Sequence, residues 1–118
     1  MDDGRPLFLQ IAEALESAIL DGSMPEGSQV PSINELATFH RINPATALKG
    51  VNRLVDAEIL HKRRGVGMFV TEGARARLLA ARRGDFVTLH VAPLAARAKA
   101  LGIDAAELAD MLKEEMER

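Results

Sequence analysis

The chain has no cysteine, tryptophan or tyrosine, and aromatic residues make up only 3% of its 118 positions. Without cysteine there can be no disulfide framework and no thiolate metal site. A reducing compartment suits such a chain, so the cytoplasm is its expected location. With four Phe in place of richer aromatics, the core must be built from Leu, Ile, Val and Ala. No run approaches the roughly 20 apolar residues that cross a bilayer. The opening MDDGRPLFLQ is acidic and lacks the long apolar stretch of a signal peptide. His40, His61 and His90 are dispersed with no i, i+4 pair, so no metal site is expected. There is no Ser/His/Asp or Cys/His set and no carboxylate pair with a clear role. The expectation is a protein that is not an enzyme and needs no cofactor.

What is present is unevenly distributed. The net charge of −2 taken alone argues against an anionic partner. Yet residues 1–38 hold one cation against seven acids, net −6, whereas residues 39–64 hold six cations against two acids, net +4. Residues 65–118 balance at eight of each. A local patch matters more to a polyanion than the overall sum. The length suffices for one compact domain with an appendage, or for a small domain that dimerises.

Periodicity places the elements. In PLFLQIAEALESAILDG, the residues Phe8, Ile11, Ala12, Leu15 and Ile19 share one helical stripe, with Pro6 suited to the first helical position and Gly22 to the residue past the end. DGSMPEGSQVP is a turn-rich connector. PSINELATFH opens a short second helix, with Ser32 as N-cap and Glu35 completing a capping box. Asn43 and Pro44 then cap and start a third helix, so ATFHRIN must contain a tight turn. On the third helix Ala47, Gly50, Val51 and Leu54 share one face. Ala45, Lys49, Asn52 and Arg53 point broadly the other way, with Leu48 at the boundary. Gly50 is a poor helix former, which implies close packing, expected here against the second helix. LHKRR, GVG and MFVT read as a hairpin. Helix, tight turn, helix and hairpin together match a winged helix-turn-helix. From Gly73 the chain is helical again, Ala-rich and interrupted by Gly84 and Pro93. Gly102 ends that segment, and a last helix follows, capped by Asp104 with Glu107 at N3 and with Ile103 and Leu108 placed for a hydrophobic staple.

Five stretches in this order, PLFLQIAEALESAILDG, GSQVPSINELA, INPATALKGVNRLVDAEIL, RRGVGMFV and ALGIDAAELADML, resemble the GntR family of bacterial transcription regulators, and within it the short YtrA-like subfamily. The resemblance spans nearly the whole chain. It implies a mainly α fold with a small β wing: a winged helix-turn-helix DNA-binding domain over residues 1–72, then a two-helix dimerisation tail over 73–118. The implied function is a regulator, in the repressor sense, that binds an inverted-repeat operator in double-stranded DNA as a homodimer. The family approaches DNA through positions that correspond here to Ser32 and Asn34, to Asn43, Ala45, Thr46 and Lys49, and to Arg64, Gly65 and Val66. Arg53 and Arg63 join these as phosphate-neutralising cations. Many relatives carry Arg where Asn34 stands and a polar residue where Leu48 stands, so base preference is expected to differ from theirs.

The glycines of HKRRGVGMFV admit two readings. A cofactor loop needs a helix N-terminus directly after the glycines. The β-favouring Met68, Phe69 and Val70 follow instead, so a wing touching a nucleic-acid backbone is preferred, against the bland alternative of a solvated hairpin. His61 at the wing base and Arg5 at the start of the first helix are further phosphate candidates, though Arg5 is better read as free. Lys49 and Arg53 taken alone are no more than the solvent face of an amphipathic helix; only the neighbouring cap and hairpin tip the balance. In the tail, Leu78, Leu79, Phe86, Leu89, Leu94, Leu101, Leu108 and Leu112 exceed what one hairpin buries, which favours self-association. Two rival readings stay open: a winged-helix interaction module whose basic face docks on an acidic protein, and a small-molecule effector held in the tail, for which no polar cluster marks a pocket.

Overall fold

The computed structural model describes residues 6–118, so Arg5 lies outside the described residues. The elements run α1 (Leu7–Leu20), α2 (Ile33–His40), α3 (Pro44–Asp56), β1 (Leu60–Arg63), β2 (Gly67–Val70), α4 (Ala74–Phe86), a π-helical segment (Val87–Val91), α5 (Ala92–Ala100) and α6 (Ala105–Met116). This is a mainly helical fold with a two-stranded antiparallel wing. The chain divides into two compact units, one ending at Ala80 and the other Ala81–Arg118.

In the first unit, the stripe of α1 buries Ile11, Ala12, Leu15 and Ile19, with Gln10 also inside and Phe8 half-buried. Pro6 is the N-cap of α1 and not its first helical residue. Its ring fixes φ near −55° while ψ of 139° keeps it extended, so the helix begins one residue later than the sequence suggests. α2 carries the expected capping box: the Glu35 amide donates to Ser32 Oγ at 3.1 Å and the Ser32 amide donates to Glu35 Oε1 at 3.0 Å. α2 ends where Arg41 enters the left-handed region at φ 57°, and the Ile42 amide reaches back to the Ala37 carbonyl at 3.0 Å. That reverse bond closes the tight turn into α3.

α3 buries Ala47, Gly50, Val51 and Leu54. The close packing at Gly50 is against α1, where a Cβ would meet the Phe8 carbonyl oxygen and Ile11. The expectation of α2 as its partner is corrected. The reason is that α1 lies against this level of α3, with Phe8 and Ile11 facing Gly50.

The hairpin pairs Leu60 with Val70, His61 with Phe69, Lys62 with Met68 and Arg63 with Gly67. Its turn closes with the Val66 amide donating to the Arg63 carbonyl at 3.0 Å and with Gly65 at φ +76°. Positive φ at the third residue is the demand of a type II turn, which glycine meets without strain. The free edge of β2 is not free: Val30 donates to Met68 at 2.8 Å and Val70 donates to Ser28 at 3.0 Å. The connector thus lies along the wing as an extended segment, bridged at Gln29 and Phe69. Ile59, Leu60, Val70, Ala74 and Leu78 complete the core of this unit.

The helix from Ala74 runs through Gly84 without a break, contrary to the interruption expected there. An isolated glycine costs about 1 kcal/mol against Ala, which the helix-forming Ala, Leu and Arg around it offset. Before Pro93 the backbone widens into the π-helical segment, and the Ala92 amide bonds the Val87 carbonyl five residues back. Widening absorbs the proline's missing donor without ending the helix. In the second unit, α5 ends in a Schellman turn. Gly102 stands at φ +72°, and the Ile103 amide bonds the Ala98 carbonyl at 2.9 Å. Asp104 then caps α6 through the Glu107 amide at 2.8 Å, as expected.

Candidate nucleic-acid interface

The outward face of α3 follows from its inward one. With Ala47, Gly50, Val51 and Leu54 fully enclosed, the 100° step between residues turns Ala45, Lys49, Asn52 and Arg53 to solvent, and all four are exposed. Leu48, at the boundary, is exposed as well. The start of α3 is fixed by Asn43, whose Oδ1 accepts from the Ala45 amide at 2.8 Å, with Pro44 following. Asn43 is therefore occupied as a cap, yet its residue remains exposed. Thr46 is half-buried, with its amide bonded to the Asn43 carbonyl at 3.0 Å.

Lys49 does not extend freely. Its ammonium lies 4.1 Å from the centroid of the Phe8 ring. A groove of about 790 Å³ opens along this side, lined by Phe8, Ala45, Leu48, Lys49, Asn52 and Arg53 among others.

At the start of α2, Ser32 and Asn34 are exposed. The amides of Ser32 and Glu35 are both consumed by the capping box, and the Ser32 amide beside the Glu35 carboxyl, followed by the Ser32 hydroxyl, holds that carboxyl below the usual glutamate range. A carboxylate stands where an anion would otherwise dock, so the contribution of this helix end rests on side chains more than on free amides.

The wing presents Arg63, Arg64, Gly65 and Val66, all exposed. Arg63 lies over the Phe69 ring, 4.3 Å from its centroid. His61 is half-buried, stacks on the same ring at 6.1 Å and places Nδ1 3.1 Å from Thr71 Oγ1, which ties it to the protein. Behind the turn, Gln29 Nε2 donates to the Val66 carbonyl at 3.0 Å. A Cβ at Gly67 would come within 2.6 Å of that same nitrogen. The second glycine stands at φ +140°, a conformation that favours glycine, and Gln29 packs into the space beside it. Phe8, Gln29 and Phe69 support the candidate residues and were not singled out as such from sequence. Their signal is tertiary, apart from the aromatic character of two of them in a chain with four Phe.

Glu26 receives the Gly73 amide at 2.8 Å and the Arg75 amide at 3.3 Å, so it caps α4 from 47 residues away. These two backbone donors, the Gly73 amide foremost, lower its carboxyl below the usual range. Arg75 Nε donates to the Leu20 carbonyl and Arg77 to the Glu58 carbonyl, so the first turns of α4 are bound to their own unit.

Of the apolar tail residues, Leu78 is buried in the core of the first unit and Leu108 is half-buried. Leu79, Phe86, Leu89, Leu94, Leu101 and Leu112 are exposed. No group of three or more potential metal ligands is assembled among the described residues, and no helix among them is long and apolar enough to cross a membrane.

Residues 7–70 match the profile of the gntR family, described as bacterial regulatory proteins. Over 74 residues the chain is 34% identical to the HTH-type transcriptional repressor YtrA of Bacillus subtilis, a match that covers 63% of this chain and 57% of that protein. It is 30% identical over 70 residues to YhcF of the same organism, covering 59% of this chain and 58% of that protein. The chain therefore matches a little over half the length of these relatives. A GntR-family structure from Bacteroides thetaiotaomicron superposes with a TM-score of 0.82 at 29% identity, over 95% of this chain and 97% of that one. The AraR DNA-binding domain, solved in complex with operator ORX1, superposes with a TM-score of 0.56 at 27% identity, over 60% of this chain and 86% of that one.

Proposed function

The chain belongs to the gntR family of bacterial regulatory proteins, which are regulators and not enzymes, and from that premise we propose that it is a cytoplasmic, sequence-specific transcriptional repressor that binds an inverted-repeat operator as a homodimer. The observation that carries the proposal is the polarity of α3. Ala47, Gly50, Val51 and Leu54 are buried, while Ala45, Lys49, Asn52 and Arg53 face solvent beside a wing tipped by Arg64 and Gly65. In this reading α3 enters the major groove. Asn34, Ala45 and Lys49 meet base edges, Ser32, Asn43 and Thr46 approach the backbone, and Arg53, Arg63, Arg64 and the Gly65–Val66 backbone grip phosphates. The relation to a repressor and to an operator-bound domain supports it.

Residues 1–72 would be the DNA-binding domain and 73–118 the dimerisation tail. The exposed Leu79, Phe86, Leu89, Leu94, Leu101 and Leu112 support self-association. A two-fold dimer meets two half-sites about 34 Å apart or at a related spacing.

Selection from a pool of random duplexes tests the proposal. Enrichment of an inverted repeat, with affinity falling as salt rises by a log–log slope of about 0.9 per phosphate neutralised, is the expected result. No enrichment, together with a stable complex with an acidic protein, would replace this reading with that of a protein-interaction module.

A further inference from the structure

Resting on the DNA-binding reading above, we propose that Phe8 is a positioning residue for Lys49: its ring holds the lysine ammonium in place on the outer face of α3 before DNA arrives.

The argument begins at the neighbour of Lys49. Gly50 has no Cβ, and the Phe8 carbonyl oxygen occupies the space a Cβ would need, at 2.7 Å from where that atom would lie. The backbones of α1 and α3 therefore leave no room for a side chain at this one level. That approach places the Phe8 ring under the side chain one residue earlier in α3, and Lys49 Nζ settles 4.1 Å from the ring centroid. A cation this near a ring face is attracted by the ring's quadrupole. An exposed lysine otherwise samples many rotamers and must give them up on binding. Phe8 is half-buried, so its own orientation is set by the packing of α1. The wing repeats the arrangement, with Arg63 4.3 Å from the centroid of the buried Phe69 ring. In both α3 and the wing, one cation is parked on an aromatic ring of the scaffold. Lowering the ordering cost of binding is the effect expected from such preorganisation.

A double-mutant cycle tests this, using the most enriched duplex from the random pool. Phe8→Leu is expected to weaken binding by about two- to fivefold, the range of an exposed cation–π contact. In a Lys49→Ala background the same change is expected to have no effect, and Phe8→Tyr is expected to retain parental affinity. Additive losses would overturn the inference. Because Phe8→Leu also alters packing, pentafluorophenylalanine in place of Phe8 provides a second measurement. It keeps the ring's shape and reverses its quadrupole, so affinity should fall while the melting temperature stays unchanged; unchanged affinity would overturn the proposal. The free protein gives a readout without DNA: the Lys49 ε-methylene protons should be shifted upfield by the ring, and the shift should vanish in Phe8→Leu. If no duplex is enriched by the parent protein, the DNA-binding reading fails and this inference with it. If a duplex is enriched and the cycle is additive, only this inference fails.

Discussion

The Cβ that Gly50 lacks would lie 2.7 Å from the carbonyl oxygen of Phe8 and 3.1 Å from the Ile11 Cβ. Neither obstacle is the end of a flexible side chain, so one helix must move to admit a methyl group. Overpacking of this kind costs about 1–3 kcal/mol, against about 1 kcal/mol that alanine gains over glycine in a helix. Gly50→Ala is expected to be destabilising on balance, by up to about 2 kcal/mol, read as a lowered midpoint in urea. It should also weaken DNA binding more than its stability loss explains, because α3 is displaced from α1.

Gln29 is the brace of the wing. Its amide reaches the Val66 carbonyl, and the connector pairs with β2 on either side of it. Gln29→Ala should cost about 1 kcal/mol or less in stability, the ordinary worth of such a bond. Its clearer signature is local: faster hydrogen exchange at the Val66 and Gly67 amides, with exchange in α1 and α3 unchanged.

Acid should loosen the joint between the connector and α4. Glu26 has its carboxyl lowered by the Gly73 and Arg75 amides. A group with a lowered folded-state value stabilises the fold above its unfolded value and loses that contribution as pH falls through the folded one. The window therefore opens near the ordinary glutamate value and extends downward. Glu35 and Asp21 are lowered in the same direction. Melting temperatures taken from pH 7 to pH 3 should fall in that window, and Glu26→Gln should be less stable at neutral pH and fall less steeply in acid.

Leu89 and Leu101 are the most exposed of the tail leucines, at 64% and 76%. If the tail joins two copies, the parent chain sediments as a dimer and Leu89→Glu as a monomer, with the melting of the first unit retained. The variant should bind a full inverted repeat on the order of 100-fold more weakly while binding a half-site normally.

Local signals were legible in the sequence. The pairing of Ser32 with Glu35, the Asn43-Pro44 start and the buried stripe of α3 each depend on residues within one or two turns, and the structure has them in place. Partners across the fold were not legible. Gly50 announces a close approach but carries no mark of which helix approaches. Gln29 sits among turn residues, and the pairing of Ser28 and Val30 with β2 uses backbone atoms that every residue has. Arg41 adopts a left-handed conformation that glycine would take more readily, so the residue type gives no warning of the turn's pivot. In the tail, Gly84 looked like an interruption because its propensity is poor, yet the residues around it carry the helix through. Leu78 read as one of the apolar tail series, but α4 begins inside the first unit and buries it there.

The central claim, that the outer face of α3 and the wing turn meet DNA together, is tested most directly by amide chemical-shift mapping of the chain titrated with its enriched duplex. The account predicts the largest changes over residues 43–53 and 63–67. Changes concentrated instead around the exposed Phe39 on α2, with residues 43–53 undisturbed, would contradict it.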